Sequence, residues 1–148
     1  MYAPHTITVY NVIHETDVET FEETDNVYIT VLQGVFVDAS KAINVNKSGL
    51  EGADAVDVYI PFSVSAKSPQ GAVKQYAKPM EFWAAEDRSG FWTLSAEGNG
   101  GETFFIKGNV VLNNLDAARA HDDCYNVTKV DERDFGSVAM RHWQVGGK

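Results

Sequence analysis

The stretch that decides the fold is Tyr125–Lys148, YNVTKVDERDFGSVAMRHWQVGGK. Tyr125, Val127 and Lys129 alternate with Asn126, Thr128 and Val130, the period of two expected of a strand. Asp131 to Ser137 is polar, contains Gly136 and reads as a turn. Val138, Met140 and His142 then alternate with Ala139, Arg141 and Trp143, which predicts a second strand. The expectation is a closing β-hairpin over Tyr125–Trp143, with Val145–Lys148 left at its rim.

Working outward, the same period recurs. His5–His14 places Ile7, Val9 and Ile13 on one face and Thr6, Thr8, Tyr10 and Val12 on the other. Glu15–Asn26 carries Glu15, Asp17, Glu19, Glu22, Glu23 and Asp25 with little to bury beyond Val18 and Phe21, so it reads as an exposed connector or hairpin tip. Val27–Asp38 is the most strand-like stretch, and Gly34 inside it predicts a bulge or bend. Residues 44–54 read as a loop. Ala55–Phe62 is a third strand, with Pro61 placing its end at a sheet edge. Phe91–Ala96 and Glu102–Val111 are two more, joined by the glycine-rich turn 97–101. Lys78–Trp83 predicts one helical turn carrying aromatics inward. Asn113–Asp123 predicts a short helix behind asparagine caps. The sum is a mainly β chain of about seven strands, a small β-barrel or sandwich in one domain, 1–148.

Ser63–Lys78 stands apart. It holds Lys67, Lys74 and Lys78 and no acid, in a chain of net charge −9. It reads as a long loop insertion, or as a short helix begun at Ser68-Pro69.

The acidic balance disfavours a protein that works by gripping phosphates along its whole surface. Cys124 is the one cysteine, so no internal disulfide forms, as suits a reducing cytoplasm. No apolar run approaches the roughly 20 residues of a membrane span. Met1–His5 lacks the basic and apolar regions of a signal peptide, so the expectation is a soluble chain, intact from its first residue.

Catalytic and metal patterns are sparse. His121-Asp122-Asp123-Cys124 has metal-ligand atom types, but adjacent residues seldom converge on one ion and no second cluster completes the geometry. Cys124 beside His121 is the nearest approach to a nucleophile and base, against the commoner reading of a buried thiol. Gly98–Gly101 joins two strands and lacks the helix N-terminus of a phosphate loop. Trp83, Trp92 and Trp143 suit a sugar- or base-stacking platform, although core packing is the default for aromatics at strand spacing. No cofactor and no metal is expected, and the chain reads as a non-enzyme.

Several strings carry a resemblance: Val56-Asp57-Val58-Tyr59-Ile60-Pro61-Phe62, Lys78-Pro79-Met80-Glu81-Phe82, Phe91-Trp92-Thr93-Leu94, Phe104-Phe105-Ile106-Lys107-Gly108, Val127-Thr128-Lys129-Val130-Asp131, Phe135-Gly136-Ser137, and the ending Met140-Arg141-His142-Trp143-Gln144-Val145-Gly146-Gly147-Lys148. Together they resemble small structural proteins of tailed phages and prophages of Gram-positive bacteria, similar to head–tail connectors of the head-closure or stopper kind. The resemblance spans most of the chain from about Ile7. It implies a small β-barrel in a homo-oligomeric ring, six- or twelve-fold, at the head–tail junction of a virion assembled in the host cytoplasm. It implies portal, adaptor, tail-terminator or tail proteins as partners, transient proximity to packaged DNA, and no membrane. It also implies a long loop that closes the DNA channel. By position and composition that role falls on residues 63–78 with Lys67, Lys74 and Lys78, and an assembly interface falls on Trp143, Val145, Gly146, Gly147 and Lys148. The alternatives are another neck or tail ring protein, a carbohydrate- or ligand-binding β-barrel and, last, a Cys/His hydrolase.

Overall fold

Hydrogen bonding between strands runs in a circle. A computed structural model describes residues 3–39, 56–96 and 101–148. Its strands are β1 (His5–Thr16), β2 (Glu23–Ala39), β3 (Val56–Pro61), β4 (Ser65–Lys67), β5 (Gln75–Tyr76), β6 (Phe91–Trp92), β7 (Gly101–Lys107), β8 (Cys124–Arg133) and β9 (His142–Gly147). Two short helices, α1 (Pro79–Ala84) and α2 (Leu115–Arg119), interrupt them. The main sheet runs β1-β7-β8-β9-β3-β2-β4, and β1 also pairs with β2, so six strands form a ring with β4 appended to β2. Every pairing in this sheet is antiparallel. The chain is mainly β.

β1 is buried on both faces, which explains its near-continuous apolar run. Ile7 and Val9 face a core with Leu32, Val35, Val58, Ile60, Phe105 and Val145. Tyr10 and Val12 face the other way, against Phe104, Ile106 and Ala118 of α2. Removing each such side chain from water stabilises the fold by about 1.5–3 kcal/mol. Two hydroxyls on this second face hold the segment after β7. Thr8 Oγ1 donates to Gly108 O at 2.8 Å and accepts from Val110 N. The Tyr10 hydroxyl donates to Val110 O at 2.5 Å and accepts from Leu112 N.

β1 and β2 form one long hairpin, in register to Thr16↔Glu23, with the acidic residues at its tip as expected. Gly34 bends β2. Its φ is +92°, the β1 register shifts opposite it, and β2 then passes to β3 at Phe36. A Cβ there would meet nothing within 4 Å, so the backbone conformation, not space, requires glycine. α2 begins as expected, with the Asn114 side chain accepting from Asp116 N and Ala117 N. α1 has Pro79 in its first turn and buries Phe82, with Trp83 packed alongside.

The structure departs from the sequence expectations in three places. Residues 63–78 form neither a long loop nor a helix. Ser65–Lys67 pairs with β2, a tight turn follows with Gly71 at φ +93°, and Lys74 N returns to Ala66 O. Phe91–Ala96 is a strand only over Phe91–Trp92, parallel to β5. Beyond it the chain is held by side chains. Asn11 Nδ2 donates to Thr93 O at 2.8 Å, and Thr103 Oγ1 accepts from Ser95 N. Pro61 ends β3 as expected, where the sheet is open on one side: the ladder with β2 stops at Phe36↔Tyr59, and only β9 continues to Pro61↔His142. Val138–Met140 is a single 3-10 turn, and the second strand of the closing hairpin starts only at His142. The ladder between β8 and β9 stops at Arg133↔His142, so the alternating residues 138–141 have no strand to pair with. The loop expected at 44–54 and most of the turn at 97–101 lie outside the described residues.

Candidate functional site

The lysines of residues 63–78 do not converge. Lys67 is exposed on β4. Lys78 is exposed ahead of α1, on the rim of a concavity of about 380 Å³. Lys74 is 7% exposed, and its Nζ donates to Ile29 O at 2.8 Å. Burial lowers its pKa from 10.5 to about 8, because desolvation penalises the charged form. It borders a second concavity, of about 450 Å³, between β2 and the turn at Ser68–Ala72.

The expected assembly residues are spread along β9, a strand paired on both sides, to β3 and to β8. Trp143 and Val145 point into the core. At Gly147 a Cβ would stand 2.9 Å from Val56 Cγ2 and 3.0 Å from Phe105 Cζ, closer than packed atoms approach. Lys148 N and O both bond to Asn126. Thus Trp143, Val145 and Gly147 build the sheet, while half-buried Gly146 and exposed Lys148 remain accessible to a neighbour.

The tryptophans form core rather than a flat platform. Trp143 packs against Phe62 and Tyr76 with ring centroids 4.4 Å apart in each case, and against Trp92 at 5.6 Å. Burial raises the Tyr76 phenol. Trp143 Nε1 is buried without a hydrogen-bond partner among the described residues. The ring edges that remain accessible line the concavity with Lys78, Pro79, Val130 and Glu132.

At His121 and Cys124 the chemistry runs against a thiolate. Burial pushes the Cys124 thiol up, whereas a nucleophilic cysteine needs a lowered value. His121 Nδ1 accepts from Asp123 N at 3.1 Å, a local turn bond. Among the described residues no three His, Cys, Asp or Glu side chains cluster as metal ligands.

The feature that sequence reasoning understated is the β1–β2 tip. From His14 to Asp25 every side chain is exposed. Its base is fastened at two points. Arg88 reaches Glu15 at 3.2 Å while donating to the Phe82 and Trp83 carbonyls. His14 bonds Asp25 at 2.6 Å and faces Glu102 at 3.5 Å, and Glu102 also pairs with Arg119. The tip itself presents Val18, 87% exposed, and Phe21, 81% exposed. Phe21 N bonds Asp17 O at 2.8 Å, and Asp17 N bonds Glu22 O at 2.9 Å, so the tip is an ordered prong. The signal in the sequence was the pair of large apolar residues set among six acids. A second exposed apolar group, Phe135, Val138 and Met140, sits on the β8–β9 loop.

A family model matches residues 2–148, and its description is a family of unknown function, DUF6751. The chain belongs to the DUF6751 family. No curated protein and no solved structure gave a match. Among the described residues no helix is long and apolar enough to cross a membrane.

Proposed function

We propose that this chain is a non-enzymatic virion protein at the head–tail junction of a tailed phage or prophage, a head-closure protein acting as a ring under the portal and adaptor. The six-strand ring is read here as a small β-barrel, the architecture that the resemblance implies. One observation carries the reading. The strings Val56–Phe62, Phe104–Gly108, Val127–Asp131 and Met140–Lys148 fall mainly on β3, β7, β8 and β9, which neighbour one another in the order β7-β8-β9-β3. These strings thus follow four consecutive strands of the six-strand ring. The prong and the exposed apolar loop at 134–141 add contact surfaces of the kind an assembly subunit uses.

Within this reading, channel closure by residues 63–78 falls to Lys67 and Lys78, since the Lys74 ammonium is engaged by Ile29. The alternative positions, adaptor or tail terminator, keep the class. The test is native mass spectrometry and imaging of the purified chain, alone and with its portal and adaptor. A ring of six or twelve copies that adds to the portal complex is expected. A chain that ignores that complex overturns the reading.

A second reading, a carbohydrate- or ligand-binding module, is favoured by the concavity beside Tyr76 and Trp143. Saturation-transfer NMR against a glycan panel tests it, and Trp143 indole shifts on addition of a sugar would support it.

A further inference from the structure

We propose that the concavity beside Lys74 receives a carboxylate side chain from the acidic prong of a second copy of this chain. This rests on the oligomer reading above and names the contact.

The concavity has a cation without an anion. An ammonium carries three donors, and the Lys74 contact recorded is the one to Ile29 O. No ion pair joins Lys74 to a carboxylate among the described residues. A charge taken from water is costly unless it is paired and hydrogen-bonded. This one borders an open space of about 450 Å³, walled by Ile29, Pro69 and Ala72 and with Ser68, Gln70 and Ser89 at its polar side. An entering carboxylate would meet the ammonium as a charge-assisted hydrogen bond, the strong kind. The approach is also open along the sheet. β4 covers β2 only over Val31–Gln33 and β3 only over Phe36–Ala39, so Glu23–Thr30 has no strand on that side among the described residues.

The occupant follows from charge and apolar surface together. The prong offers Asp17, Glu19 and Glu22, and beside them Val18 and Phe21, which match the apolar wall. A chain cannot fill its own concavity this way. Glu23 and Ile29 are six residues apart on β2, about 20 Å, and Glu22 lies beyond the strand's start. The continuous β1 register from Tyr10↔Ile29 to Thr16↔Glu23 holds that distance. The carboxylate must therefore come from another copy. Two different patches meeting head to tail close into a ring when the rotation allows.

The test uses the full chain and measures self-association by sedimentation velocity across concentration and salt. Lys74→Met removes the charge and keeps the volume. The double change Glu19→Gln, Glu22→Gln alters only exposed prong residues. Each should weaken self-association about tenfold or more, and high salt should do the same. Self-association unchanged in both variants overturns this contact and leaves the ring reading standing. A chain that stays monomeric yet adds to the portal complex also overturns the contact, but not the head–tail assignment. Salt-sensitive association lost in the Gln variant but kept in Lys74→Met places the prong in another partner surface and overturns the proposal.

Discussion

The Lys74 ammonium donates to the carbonyl oxygen of Ile29 at 2.8 Å, tying the turn after β4 to the uncovered edge of β2. Because burial lowers the amine to about 8 from 10.5, the folded chain binds fewer protons than the unfolded chain between those values. Folding stability should therefore rise as pH increases from about 8 towards 10.5, and the term is lost as pH falls through 8. The full shift corresponds to about 3 kcal/mol. Calorimetry of wild type and Lys74→Met isolates the effect. The variant should be the more stable at pH 7, and the difference should shrink as pH rises. Parallel curves for the two proteins would refute the assignment.

His14 titrates in the opposite sense. Its hydrogen bond to Asp25 raises its pKa above 6.5, against a smaller desolvation effect. The protonated form is the one favoured by folding, so its contribution is complete below pH 6.5 and disappears as pH rises through the folded value. An NMR titration should find the His14 ring titrating above 6.5 and moving down in Asp25→Asn. No movement in that variant would count against the pair.

Gly147 and Gly34 are glycines for different reasons, and alanine should separate them. Gly147→Ala forces a methyl against Val56 and Phe105 at about 3 Å and should cost about 1–3 kcal/mol by overpacking. Gly34→Ala meets open space and should cost about 1 kcal/mol for its positive φ. Urea midpoints measure both. Equal costs would mean that the close approach at Gly147 relaxes freely.

Tyr10→Phe keeps the ring stacked on Phe104, whose centroid lies 4.7 Å away, and removes the hydroxyl. Val110 O and Leu112 N then lose their partner, at a cost of about 1–3 kcal/mol. Hydrogen exchange should accelerate at Leu112 and not in β3. A uniform acceleration across the chain would instead indicate global destabilisation.

The alternation of Ile7, Val9 and Ile13 against Tyr10 and Val12, the Gly34 bend, the Asn114 cap and the acidic tip were all readable without coordinates. Each depends on residues within one turn or one strand, where side-chain period and backbone preference act locally. What the sequence by itself determined was therefore a mainly β chain and the faces of its strands. The same period over Val138–His142 misled, because an extended pattern becomes a strand only where a neighbour supplies hydrogen bonds, and β8 pairs no further than Arg133. Likewise Thr93–Ser95 is bonded by Asn11 and Thr103, residues distant in sequence. Only tertiary structure decided that β1 closes on β2, that Trp143 faces inward while Phe21 does not, and that Lys74 is taken out of water while Lys67 and Lys78 stay in it. Those outcomes depend on which segments fold over one another, and that placement is a property of long-range packing rather than of any local run.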